Sequence, residues 1–149
     1  MTQKTMTVAL NDPPYDVEAA FAALSPEVAL ALRSVRTQIL RTAQELEGVG
    51  PIHETLKWGE PAYLTQSPKS GTTLRLGQVG GSAAIFVPCS TTIIEDARAI
   101  FGDVSDLSGK RGLILGGDGQ MLDHVIRAAL TYHSRKRVSG ATRGGPDRR

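Results

Sequence analysis

The clearest pattern in the chain is an apolar stripe at helical spacing: Val28, Leu32, Val35, Ile39, Ala43 and Leu46. Steps of three and four residues place these on one face, which predicts an amphipathic helix from Ser25 to about Glu47. Ser25-Pro26-Glu27 starts it with a capping hydroxyl, a proline at the first helical position and an acid near the positive end of the dipole. Arg33, Arg36, Gln38, Arg41 and Glu45 are assigned to its outward face, and Gly48, Gly50 and Pro51 stop it. A shorter helix precedes it, capped by Asp16, with Val17, Phe21 and Leu24 facing inward. Residues 1–14 end in Asn11-Asp12-Pro13-Pro14 and carry no sustained period, so they read as a flexible arm.

The period then shortens to two. A strand is predicted over Pro61 to Thr65, followed by a turn at Gln66 to Gly71. Thr72 to Gly77 alternates, with Leu74 and Leu76 on one side and Arg75 on the other. Gly80-Gly81 fits a two-residue hairpin loop, so Ala83 to Val87 becomes the antiparallel neighbour, with Phe86 opposite Ile85 and Val87. Thr92-Ile93-Ile94-Glu95 has the form of a capping box before a short helix. Arg111 to Leu115 reads as a further strand. Asp118 is the expected cap of a last helix that buries Leu122, Val125, Ile126, Ala129 and Tyr132 or His133. The order predicts an α+β domain over residues 15–138: an antiparallel sheet of about four to five strands with helices on one face. Residues 139–149 read as a disordered basic tail.

Composition narrows the class. The 149 residues are 40% hydrophobic and 21% charged, enough for one soluble domain with its own core. There is no apolar run long enough to span a membrane and no signal-peptide pattern, so a soluble, cytoplasmic protein is expected. Cys89 is the sole cysteine, which excludes an internal disulfide and a Cys-x-x-Cys metal knuckle. The net charge of +2 divides into +5 from Arg135 onward and −3 before it. The tail holds no aromatic to stack a base, so no specific nucleic-acid contact is expected.

Catalytic signatures fail one by one. His53-Glu54 begins like a zinc-protease helix, but Lys57 stands where the second histidine must be. Gly117-Asp118-Gly119 does not continue into a dinucleotide fingerprint, and no Walker sequence occurs. His124 and His133 lie nine residues apart on one helix, half a turn out of phase, so they cannot share an ion; His124 is expected in solvent and His133 at the core edge. No metal-ligand set and no cofactor is indicated. Asp123 and Arg127 form an ordinary surface pair.

Between the long helix and the sheet lies Lys57-Trp58-Gly59-Glu60-Pro61-Ala62-Tyr63, which resembles the signature of the YdhG-like family. Ile85-Phe86-Val87-Pro88-Cys89 and the closing helix are similar to that family as well. The resemblance covers roughly Asp16 to Tyr132 and implies a small α+β domain with a frataxin-like sandwich and no established catalytic residues. A frataxin-like shape would suggest iron handling, but the long helix mixes Glu27, Glu45 and Glu47 with three arginines and lacks an acidic ridge.

These residues define the candidate site. Trp58, Tyr63, Phe86 and Arg75 could line one patch, with Lys57 or Glu60 orienting a polar ligand. The competing reading makes Trp58 and Tyr63 packing anchors, with Trp58 pinning helix layer to sheet. Cys89, just before a helix start, is either a nucleophile or a half-buried small residue. The leading expectation is a non-catalytic module that binds a small molecule or protein partner over Lys57, Trp58, Glu60, Tyr63, Arg75, Phe86 and Cys89. A metal-handling protein and a thiol-dependent enzyme using Cys89 are the alternatives. A homodimer could also cover that face.

Overall fold

The computed structural model describes residues 11–102, 107–109, 112–116 and 119–134. The expected arm before residue 11, the Asp118 cap and the basic tail lie outside the described residues.

Two helices open the fold, α1 (Tyr15–Ala22) and α2 (Pro26–Glu45). Ser25 caps α2, its hydroxyl accepting from the Val28 N–H at 3.3 Å, and Pro26 occupies the first turn. Among the described residues no side chain caps α1; Asp16 instead accepts from the adjacent Val17 N–H. Among the described residues six strands follow the antiparallel order β1-β2-β3-β4-β6-β5, against the four to five expected. They are β1 (Ile52–Lys57), β2 (Glu60–Thr65), β3 (Leu74–Val79), β4 (Ser82–Phe86), β5 (Leu107–Ser108) and β6 (Gly112–Ile114). Helix α3 (Ile93–Phe101) lies between β4 and β5, and α4 (Gly119–Leu130) closes the domain. The Thr92 capping box does not form: its hydroxyl donates to Asp96 rather than accepting from the helix.

Alternation divides the sheet into two faces. Tyr63, Leu74, Leu76, Ile85 and Leu113 pack with Phe21, Leu32, Ile39, Ile94, Ile126 and Leu130 of the helices in one continuous core. Burial of each such aliphatic side chain contributes about 1.5–3 kcal/mol before entropy is counted. Among the described residues the helical layer therefore covers one face only. The other carries Glu60, Ala62, Arg75, Gly77, Ala84, Phe86 and Gly112, as the strand registers require.

The loop before β3 also holds the end of α4. Thr72 N–H donates to the Ala129 carbonyl at 2.8 Å, and the Ser70 hydroxyl donates to that of Leu130 at 2.9 Å. These bonds satisfy carbonyls that a helix terminus leaves open. Thr65 completes the joint, its hydroxyl bonding both to the N–H and to the carbonyl of Gly71.

Candidate functional site

The Trp58 segment is a β-hairpin tip, not a helix-to-sheet joint. Lys57 and Glu60 pair across a two-residue loop, and both loop residues have positive φ, 57° at Trp58 and 76° at Gly59. Positive φ at both central positions marks a type I′ turn, whose twist matches that of the flanking strands. Glycine suits such a position, whereas an L side chain there costs about 1–2 kcal/mol. Trp58 is also 89% exposed, so it pins nothing in the core, contrary to expectation. The earlier strand β1 escaped notice because His53, Glu54 and Lys57 break up a short apolar pattern.

The expected patch is brought together in part. Arg75 on β3 is ion-paired with Glu60 on β2, and its guanidinium carbon lies 5.7 Å from the Phe86 ring centroid. Glycine makes room for this arrangement. A Cβ on Gly77 would stand 2.3 Å from Glu60 Oε2 and 3.0 Å from the Phe86 ring, and one on Gly112 would be 3.3 Å from that ring. Glu60 and Phe86 thus lie flat over backbone without side chains. With Gln78, Val79 and Ser108 they bound a shallow trough of ≈ 310 Å³ on the uncovered face. Lys57 is exposed beside the hairpin tip.

Tyr63 does not belong to this patch. It is fully buried among the helix-facing residues, because its register opposite Glu54 places it on the other side of the sheet from Arg75. Cys89 is exposed rather than half-buried, in the turn after β4. His124 is half-buried rather than solvated. Its ring meets Phe101 edge-on at 5.7 Å, and Nε2 is buried with no hydrogen-bond partner among the described residues. His133 is half-buried, with its ring 5.5 Å from that of Tyr132. Arg127 does pair with Asp123, at 2.8 Å, and also reaches Glu45 on α2 at 3.0 Å. Among the described residues no group of three His, Cys, Asp or Glu is placed to hold a metal ion.

The most developed polar cluster was missed. Arg36, expected on the outward face of α2, is only 8% exposed. Its Nε–H donates to Glu54 Oε2 at 2.6 Å, and Nη2 donates to Glu54 Oε1 at 3.0 Å and to the Asn11 carbonyl at 2.7 Å. The Tyr63 hydroxyl donates to Glu54 Oε2 at 2.8 Å. Hydrogen bonding to Glu54 raises the Arg36 pKa further, so the guanidinium stays charged. Burial pushes the Tyr63 phenol far above its usual range, and the adjacent Glu54 carboxylate acts in the same direction. The signal was present in the spacing. Arg36 sits four residues after Leu32 and three before Ile39, inside the apolar stripe, and Glu54 shares a strand face with Ile52 and Leu56 at a spacing of two. Two opposite charges in two apolar faces point to a buried pair.

Arg36 and Glu54 also line a second concavity, a cleft of ≈ 470 Å³ between α2 and the start of the edge strand β1. Among the described residues, no helix is long and apolar enough to cross a membrane. Compared with family models, with curated proteins and with solved structures, the chain matches none.

Proposed function

We propose that the protein is a non-catalytic binding module that docks a protein partner on the uncovered side of its sheet. Trp58 is the anchor, and the trough formed by Glu60, Arg75 and Phe86 is the receiving surface. The observation that carries this reading is Trp58 itself: the sole tryptophan is held in a left-handed conformation and is 89% exposed. Backbone strain that serves no packing is a reason to look for function at the strained residue. Exposed tryptophan and arginine are also the residue types that dominate binding energy when an interface buries them.

The surface is complementary to itself. One protomer offers an indole two residues from Glu60, and the same face offers a guanidinium stacked near a phenyl ring over a glycine floor. An indole seated against Arg75 would gain a cation–π contact of about 0.5–2 kcal/mol as water leaves. Around a two-fold axis each copy would make this contact twice. The occupant we assign is therefore a second copy of the chain. The helices on a single face of an antiparallel sheet also support a YdhG-like, frataxin-like fold assignment.

Because Trp58 is the only indole, its emission reports directly on the face. Raising the protein concentration should blue-shift that emission in step with dimer formation seen by sedimentation. Trp58→Asn should sediment as a monomer, and Arg75→Ala should weaken association about tenfold, or about 1.4 kcal/mol. A wild-type chain that stays monomeric, with water-exposed emission at every concentration, would sink the proposal.

A further inference from the structure

We propose that the cleft between α2 and the free edge of β1 receives this chain's own N-terminal segment, residues 5–10, as one more strand of the sheet. The edge is open on hydrogen-bonding grounds. Lys57 and Glu60 flank a two-residue turn and so exchange both backbone bonds, and bonded positions alternate along an antiparallel pair. Thr55 and His53 therefore bond back to β2, while Leu56, Glu54 and Ile52 turn their N–H and C=O groups outward. Their side chains face the helices, as the Glu54–Arg36 pair shows. β1 stands at the end of the strand order, and among the described residues no backbone bond reaches its outward groups. Such an edge is a template for a further strand.

The occupant follows from where the described chain begins. Asn11 lines the cleft, and its carbonyl accepts from Arg36 Nη2 at 2.7 Å beside Glu54. From Arg36 to Gln44 the cleft follows α2 for about 12 Å, at the helical rise of about 1.5 Å per residue. An extended chain rising about 3.3 Å per residue covers that length in about four residues, Thr7 to Leu10. Over its short length the segment Thr5-Met6-Thr7-Val8-Ala9-Leu10 sets Met6, Val8 and Leu10 on one side. The cleft suits that side: Leu40, Ala43, Val49 and Ile52 wall it, and Leu40, Val49 and Ile52 are only partly buried. Val8 and Leu10 would remove this apolar wall from water, with Thr7 and Ala9 facing outward. With Asn11 level with Glu54 and the cleft extending toward Ile52 and Pro51, the added strand runs parallel to β1. A parallel neighbour needs a long crossover, which α1 and α2 supply. A tethered segment also avoids the translational entropy that a separate peptide or a second copy would lose.

Amide hydrogen exchange on the full chain tests this, in a Trp58→Asn background so that self-association at the hairpin tip plays no part. Protection at Ile52 and Glu54 is measured relative to Leu76 and Ile85 of the same chain, which removes differences in global stability. The Ile52 and Glu54 amides should exchange at least about tenfold more slowly than in the same chain carrying Val8→Asp, which sets a charge against the apolar wall. Thr7→Asp, on the outward side, should leave their protection unchanged. Protection should also be independent of protein concentration, as an intramolecular strand requires. Unprotected Ile52 and Glu54 amides in the parent chain, equal protection with Val8→Asp, or an equal loss with Thr7→Asp would each overturn the assignment. Protection that rises with concentration would overturn it in favour of a second copy at the edge. None of these outcomes depends on the Trp58 face.

Discussion

Removing the charge from Glu54 isolates the central feature of the helix–sheet interface. Glu54→Gln keeps the side-chain shape but replaces an acceptor-only carboxylate with one acceptor and one donor. In the native structure the carboxylate accepts from Arg36 Nε at 2.6 Å, from Arg36 Nη2 at 3.0 Å and from the Tyr63 hydroxyl at 2.8 Å. A glutamine NH₂ would face at least one of these donors, leaving Arg36 charged and underpaired in a site where each side chain is 10% exposed. Breaking one half of a buried pair costs about 3–5 kcal/mol, and residual exposure places this case at about 3 kcal/mol. With an m value of about 2 kcal/mol/M, the urea midpoint should fall by about 1.5 M. The double variant Arg36→Met with Glu54→Leu should recover most of this loss, because well-packed apolar groups can replace a buried pair at little cost. Made together with Tyr63→Phe, so that no buried hydroxyl loses its acceptor, the shortfall should be about 1 kcal/mol, from the lost tie between Arg36 and the Asn11 carbonyl. A Glu54→Gln cost below about 1 kcal/mol, or a double-variant cost equal to the sum of the two single ones, would refute the reading of the pair as one buried unit.

Tyr63→Phe should change the alkaline limb of stability. The folded phenol is raised above its ordinary value of about 10, so its contribution is complete below that pH. Above it the unfolded chain releases the proton while the folded chain keeps it, so stability falls by about 1.4 kcal/mol per pH unit more in wild type than in Tyr63→Phe. Parallel limbs in alkaline urea titrations would contradict this. Gly71→Ala should destabilise by about 3 kcal/mol, because the new Cβ would stand 2.2 Å from the Ala129 carbonyl oxygen, which is backbone and cannot turn aside. Near-wild-type melting of that variant would mean that the β2–β3 loop and α4 separate easily. Trp58→Asn should raise monomer stability by about 1 kcal/mol, since Asn-Gly suits a type I′ turn, and a lower melting temperature at concentrations where the wild type is monomeric would count against strain at Trp58.

The patterns with a strong local cause were legible along the chain. Ser25-Pro26 and the stripe from Val28 to Ala43 specify α2 through capping, fixed φ and a single apolar face, and Gly80-Gly81 specifies its hairpin through positive φ. The side of the sheet shared by Arg75 and Phe86 followed from a period of two. Trp58 was misread because the usual association of tryptophan with burial outweighed the Trp-Gly dipeptide as a hairpin tip. Arg36 departs from the usual link between charge and exposure because its spacing lies within the apolar stripe and Glu54 neutralises it there.

The sequence by itself determined an α+β domain, the long helix, the three adjacent antiparallel strands and the alternation that sends Arg75 and Phe86 away from the core. These follow from interactions among near neighbours, which sequence spacing records. Only the tertiary structure decided that Arg36 and Glu54, eighteen residues apart, neutralise one another beneath a cleft. The same is true of the separation of Tyr63 from Arg75 and of the trough over Gly77. Each depends on which strand lies beside which, and on whether a buried charge finds its opposite across the interface. That pairing is set by the packing of whole layers, to which no short stretch of the chain is sensitive.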